Sequence, residues 1–193
     1  MQRIKVAAIS LGFLVSFGVV AEELQPQQYA SVSEMIEDMG DFSAEKGTFA
    51  VLSEKPLQIR VAAAVVPGDL PENVNREVRR AALYGVYRTF VHTAAESVQV
   101  TAVPNQITFN PYSSTLLKSP TLKITVTRWQ ALEAAKALTG AGAMEDLVTP
   151  EKTGSFQLDN WSKSFEPLYY KDDGQAALLK AIKAAGGDLV NNG

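Results

Sequence analysis

Three segments of the chain alternate large apolar side chains with polar or small ones at period two, and this restricts the possible folds more than any other feature. In "LQIRVAAAVV", Leu57, Ile59, Val61 and Val65 alternate with Gln58, Arg60, Ala62 and Ala64. "SVQVTAV" sets Val98, Val100 and Ala102 against Gln99 and Thr101, and "TLKITVT" sets Leu122, Ile124 and Val126 against Thr121, Lys123, Thr125 and Thr127. Such alternation marks strands with one buried face. Strands covered by helices on both faces would read as continuous apolar runs. The pattern predicts an α+β fold: a two-layer sandwich, its sheet mixed or largely antiparallel, with helices packed on one face.

Between the first two of these strands lies "PGDLPENVNREVRRAALYGVYRTFVHTAAE". Asp69 stands three residues before Glu72, and Pro71 falls in the first turn, which predicts a long helix beginning here. A strand, a helix and a further strand imply a right-handed crossover if the two strands are parallel neighbours. "RWQALEAAKALTG" predicts a second helix ended by Gly140, "AMEDLV" a short piece stopping at Pro150, and "GQAALLKAIKAAGG" a last helix ended by Gly186 and Gly187. "GTFAVLS" opens the strand region. Two stretches, Pro104 to Pro120 and Thr149 to Gly174, read as irregular loops, which in compact domains are often functional.

The N-terminus reads as an address. Arg3 and Lys5 precede the apolar run "VAAISLGFLVSFGVV", and small residues close it, which predicts residues 1–21 as a signal peptide cleaved after Ala21. The run is shorter than the roughly 20 residues of a membrane-spanning helix, so no stable membrane anchor is expected after cleavage. The expected location is periplasmic or secreted. The remaining organisation is an acidic N-terminal arm with a short helix over 22–46, a core domain over 47–148, and an aromatic-rich extension with a C-terminal helix over 149–193. In the arm, seven acids face the single base Lys46, and Ser31 or Ser33 is placed to cap "SVSEMIEDM".

Composition removes several function classes. The chain has no cysteine, so it has neither disulfides nor thiolate metal sites. With a single histidine a metal site would be built mainly from oxygen ligands, and no segment has the alternating ligand spacing of a calcium loop. No metal and no cofactor are expected, since both the phosphate-binding lysine loop and the dinucleotide glycine fingerprint are missing. The formal charge is −3, from 18 basic and 21 acidic residues. Loss of Arg3 and Lys5 leaves 16 against 21, so the mature charge is −5 and nucleic acid is not an expected partner.

The candidate sites lie in three places. One is the outer sheet face, where Gln58, Arg60, Gln99, Thr101, Lys123, Thr125 and Thr127 read either as ordinary strand residues or, if the aromatic extension does not cross them, as a ligand-binding surface. Along the long helix Arg76, Arg80, Tyr84, Arg88 and His92 follow one another at steps of four, in a run holding four of the chain's seven arginines. Each step advances about 40° around the helix, so the ends of the series face directions about 160° apart and do not share one ligand. The arginines read either as the solvated face, with Glu77 as a pairing partner, or as a docking surface for an acidic partner or an anionic envelope polymer. His92 reads either as a general base or as a cap on its helix's C-terminal carbonyls.

In the extension, Phe156, Trp161, Phe165, Tyr169 and Tyr170 place five of sixteen aromatics within fifteen positions. They read either as an apolar strap or as anchors for a partner, with Pro167 interrupting any helix that would align Trp161, Phe165 and Tyr169. Asp159 and Glu166 flank Trp161 and Phe165 and are the one carboxylate pair with glycosidase character. No nucleophile elbow accompanies them.

The reading that follows is a non-catalytic exported protein that binds an envelope protein, as an accessory or structural component of a cell-envelope assembly. Its candidate contact residues are Arg76, Arg80, Tyr84, Arg88, Trp161, Phe165 and Tyr169. The alternatives are a small hydrolase of peptidoglycan or another polymer using His92, Asp159 or Glu166, and a soluble small-ligand carrier.

Overall fold

The computed structural model describes residues 24–192; the expected signal peptide lies outside the described residues. The chain folds as an α+β sandwich. Strands β1 (Phe49–Glu54), β2 (Leu57–Val65), β3 (Ser97–Phe109), β5 (Thr121–Thr127) and β8 (Asp188–Asn192) form a sheet in that order, and β4 (Tyr112–Leu116) pairs with the far half of β3. Only β2 and β3 run parallel. The connection between them is the long helix α2 (Pro71–His92).

The alternating strands do what their period requires. Ile59, Val61, Val98, Val100, Leu122, Ile124 and Val126 are buried under the helices. Gln58, Gln99 and Thr125 form one row across the opposite face, and Arg60, Thr101 and Lys123 form the next. Gly85 lets α2 lie close against the sheet: a Cβ built there would stand 2.7 Å from Cγ1 of Val100. Helices α1 (Val32–Met39), α3 (Arg128–Thr139) and α5 (Asp172–Ala184) complete the layer.

One apolar core spans what the sequence divides into arm, core and extension: Val32 and Ile36 join it from the arm, and Trp161, Phe165, Leu178 and Ile182 from the C-terminal part. Ser31, not Ser33, caps α1, its hydroxyl accepting from Glu34 N. Thr127 and Gln130 form a reciprocal capping box on α3, which ends at Gly140 with φ 79°. Asp69 does not cap α2. Its carboxylate accepts from Val66 N at 2.8 Å and closes the preceding turn, leaving Leu70 at the cap position.

Both stretches read as loops are hairpins. The strand β3 runs on through Pro104, because this residue sits between the β5 and β4 ladders, where a missing N–H costs nothing; its carbonyl accepts from Leu117 N at 2.9 Å. The second stretch forms β6 (Val148–Thr153) and β7 (Phe156–Trp161), followed by α4 (Glu166–Tyr170). "AMEDLV" is a 3-10 turn over Met144–Leu147 running into β6. The edge strand β8, rich in Asn and only five residues long, has no counterpart in the sequence reading.

Candidate functional site

The last two turns of α2 carry Arg88 and His92. The hairpin β6–β7 brings Asp159 and Trp161 against them, and the segment Gln25 to Tyr29 crosses over the top. These residues form one hydrogen-bonded cluster. Nδ1 of His92 lies 2.9 Å from Gln27 O and 3.6 Å from Oδ2 of Asp159. Nη1 of Arg88 donates to Nε2 of His92 at 3.1 Å and to Asp159 O at 2.6 Å. A guanidinium has only hydrogens to give, so Nε2 is the accepting nitrogen. The proton therefore sits on Nδ1, which donates to Gln27 O, and the imidazole is neutral.

Burial explains this state. The His92 side chain is 0% exposed and that of Asp159 1%. Desolvation pushes the imidazole down to about 4, and the Arg88 charge pushes the same way against the Gln27 carbonyl and Asp159. Desolvation also lowers Arg88. Its guanidinium carbon stacks 3.9 Å over the Trp161 ring, while its buried Nε has no partner. The Asp159 carboxylate accepts from Gln27 N at 2.7 Å and from Nε2 of Gln157 at 2.9 Å.

His92 is thus neither of the two things its position suggests. As a base it would need an open nitrogen, and both are engaged inside the fold. As a cap it would need to reach its own helix's carbonyls, yet those have other donors: Arg128 bonds Phe90 O and Thr93 O, Nε2 of Gln28 bonds Val91 O, and Tyr29 N bonds His92 O.

Asp159 and Glu166 do not form a facing pair. Asp159 lines a cavity of about 280 Å³ beside Arg88 and Asp41. Glu166, at the exposed start of α4, lines a different one of about 340 Å³ with Glu151 and Lys163. A further cavity, about 540 Å³, lies between the start of α1, the β1–β2 turn and the loop after α2, and none of the candidate catalytic or contact residues lines it.

The helix stripe separates. Arg76 and Arg80 pair with Glu77 at 3.5 and 2.7 Å. Tyr84 is buried edge-on against Phe42, and Arg88 belongs to the cluster. Arg79, outside the stripe, ties α2 to α5 through Asp172 at 2.5 Å and Gln175 at 3.1 Å.

Three of the extension's five aromatics, Trp161, Phe165 and Tyr169, pack inward, whereas Phe156 is 76% and Tyr170 52% exposed. Phe165 lies edge-on to Tyr87 at 4.8 Å, and the Trp161 ring is 4.9 Å from Phe165 and 5.1 Å from Tyr169. Pro167 sits in the first turn of α4 and does not stop these rings from meeting. The strap lies on the helical layer, so the outer sheet face stays uncovered, with Lys123, Thr125 and Thr127 exposed.

The exposed surface that sequence reasoning missed is the β3–β4 hairpin. Its register pairs Asn105 with Leu116, Ile107 with Ser114 and Phe109 with Tyr112. Cross-strand partners share a face, so Ile107, Phe109, Tyr112 and Leu116 lie on one side and Gln106, Thr108, Ser113 and Thr115 on the other. Phe109 is 76% exposed, Tyr112 70% and Leu116 39%. The available signal was the alternation of Ile107 and Phe109 before Asn110-Pro111 and of Tyr112 and Leu116 after it; the prolines at 104, 111 and 120 disguised it as loop. Compared with known proteins, the chain matches no family model, no curated protein and no solved structure.

Proposed function

We propose that this is an exported protein, periplasmic or secreted, that acts by binding protein as a non-catalytic accessory or structural component of a cell-envelope assembly, with the β3–β4 hairpin as its contact surface. The observation that carries the reading is the exposure of Phe109, Tyr112 and Leu116 on one uncharged hairpin face. Grouped exposed aromatics of this kind mark interaction sites. The side chains with the best catalytic character, His92 and Asp159, are occupied in holding the arm to the core. This favours binding over the hydrolase alternative and leaves Arg76, Arg80 and the strap aromatics with structural contacts of their own.

The test is a photo-crosslinking residue placed at Phe109 in the full chain, expressed in cells, with the same residue at exposed Lys180 on α5 as control. A discrete crosslinked species from Phe109 and none from Lys180 is the expected result. Equal or absent crosslinking at both positions overturns the hairpin as the contact surface. Sequencing the exported protein tests the address: the expected first residue is Glu22.

A further inference from the structure

Resting on the reading of the hairpin as a contact surface, we infer that its partner is a second copy of this chain, joined by antiparallel pairing of β4 with β4 about a two-fold axis at Ser114. An exposed strand edge offers unpaired N–H and C=O groups to another chain, and proteins blunt such edges with charges, prolines, bulges or shortness. The other edges here are blunted. Strand β1 has an irregular register between Val51 and Ser53 and ends in Glu54, β8 is short and carries Asp188, and β6 carries Pro150, Glu151 and Lys152. The edge of β4 is as short as β8 but carries no charge, no proline and no bulge. Its five residues are all exposed, and no charged residue occurs between Glu96 and Lys118.

Self-pairing also has a matching register. With Ser114 opposite Ser114 of the other copy, Tyr112 falls opposite Leu116, and Ser113 opposite Thr115. Apolar thus meets apolar on one face and hydroxyl meets hydroxyl on the other. Isologous contacts require this self-complementarity. Registers shifted by two residues leave part of the five-residue strand unpaired, and shifts by one put opposite faces together. Charge points the same way. Two copies of a chain with net charge −3 repel over most of their surfaces, and an uncharged edge is where they approach at least cost. The paired hairpins merge both copies of Ile107, Phe109, Tyr112 and Leu116 into one continuous face.

Sedimentation equilibrium of the full chain without its first 21 residues tests the pairing. The expected mass is twice that of the chain, falling to one chain for Ser113→Lys/Thr115→Lys, which sets lysine opposite lysine at two exposed positions; circular dichroism confirms retained folding. The absence of cysteine permits a direct check of register. Residues directly opposite in antiparallel strands have Cα atoms about 4.5–5.5 Å apart, within the range of about 4.4–6.8 Å that a disulfide spans. Ser114→Cys is therefore expected to give an intermolecular disulfide under mild oxidation, whereas equally exposed Lys123→Cys does not.

A monomeric wild-type chain at the highest soluble concentration, a dimer that survives the double lysine change, or no more disulfide from Ser114→Cys than from Lys123→Cys each overturns the pairing. A monomer that still crosslinks to a different protein through Phe109 overturns self-pairing while leaving the binding reading intact.

Discussion

The guanidinium of Arg88 lies 3.9 Å over the ring of Trp161, from a residue 73 positions further along the chain, and this stack closes one side of the buried cluster. A desolvated cation over an indole face is attracted by the ring quadrupole, by about 2 kcal/mol. The same guanidinium donates to His92 and to the Asp159 carbonyl. Arg88→Ala is expected to destabilise the fold by about 2–4 kcal/mol, because it removes the stacked surface and strands two buried acceptors. Urea unfolding followed through tryptophan fluorescence measures this, and a change within about 0.5 kcal/mol would contradict the cluster's structural role.

His92 makes stability depend on pH with a defined sign. Its pKa in the fold is pushed down to about 4, against about 6.5 in the unfolded chain. Between these values the unfolded state binds the extra proton, so stability is complete above about 6.5 and falls as pH drops towards 4. The loss attributable to this residue between pH 7 and 5 is about 2 kcal/mol, and about 3 kcal/mol once the fall is complete. His92→Gln is expected to flatten that slope while lowering stability at pH 7. Urea midpoints of both proteins at pH 7, 6 and 5 decide the matter, since parallel slopes would exclude His92 as the titrating group.

Asp159→Asn is expected to loosen the arm without unfolding the core. The carboxylate accepts from Gln27 N on one oxygen and from Nε2 of Gln157 on the other. An amide has only one oxygen, so either orientation turns a donor towards a donor. The cost is about 1–3 kcal/mol, concentrated where the arm crosses α2. Hydrogen exchange at residues 25–29 should accelerate, with β2 and β3 unchanged; uniform acceleration through the sheet would show that arm and core open together.

Gly85→Ala tests how closely α2 approaches the sheet. Helix propensity alone predicts a gain of about 1 kcal/mol. The added methyl, however, meets Cγ1 of Val100 at 2.7 Å on a central strand with no free side-chain end to yield. Overpacking of this kind costs about 1–3 kcal/mol, so a net loss and a lower thermal midpoint are expected. A stabilised variant would mean that the helix moves away freely.

Phe165→Ala separates a strap from a docking anchor. Phe165 is 0% exposed and packs between Tyr87 and Trp161, so truncation is expected to cost about 3–5 kcal/mol of stability. Tyr112→Ala, on the exposed hairpin, should leave monomer stability within about 0.5 kcal/mol. Equal stability losses for both would contradict this division.

The layer architecture was legible in the sequence because each signal for it is local. Ile59, Val61, Val98, Val100, Leu122 and Ile124 announce a buried sheet face by period alone, and Gly140 ends α3 by its φ of 79°. The hairpins were not legible in the same way. Pro104 and Pro111 look like strand breakers until the ladders show one at a gap between partners and the other in the turn. His92 failed for a different reason: spacing placed it at a helix terminus, but its bonding partner, Gln27, is 65 positions away.

What the sequence by itself determined is therefore whatever depends on neighbours along the chain: the one-sided sheet, the long crossover helix, the glycine that ends α3 and the charge-free run from Ser97 to Leu117. Tertiary structure alone decided that Gln27 and Asp159, 132 positions apart, share a hydrogen bond. It also decided that Arg88 and His92 face inward while Phe109 and Tyr112 face out. The physical reason is that burial and hydrogen bonding are satisfied between distant segments. Whether a polar side chain becomes a site or a fastening depends on what the rest of the chain brings to it.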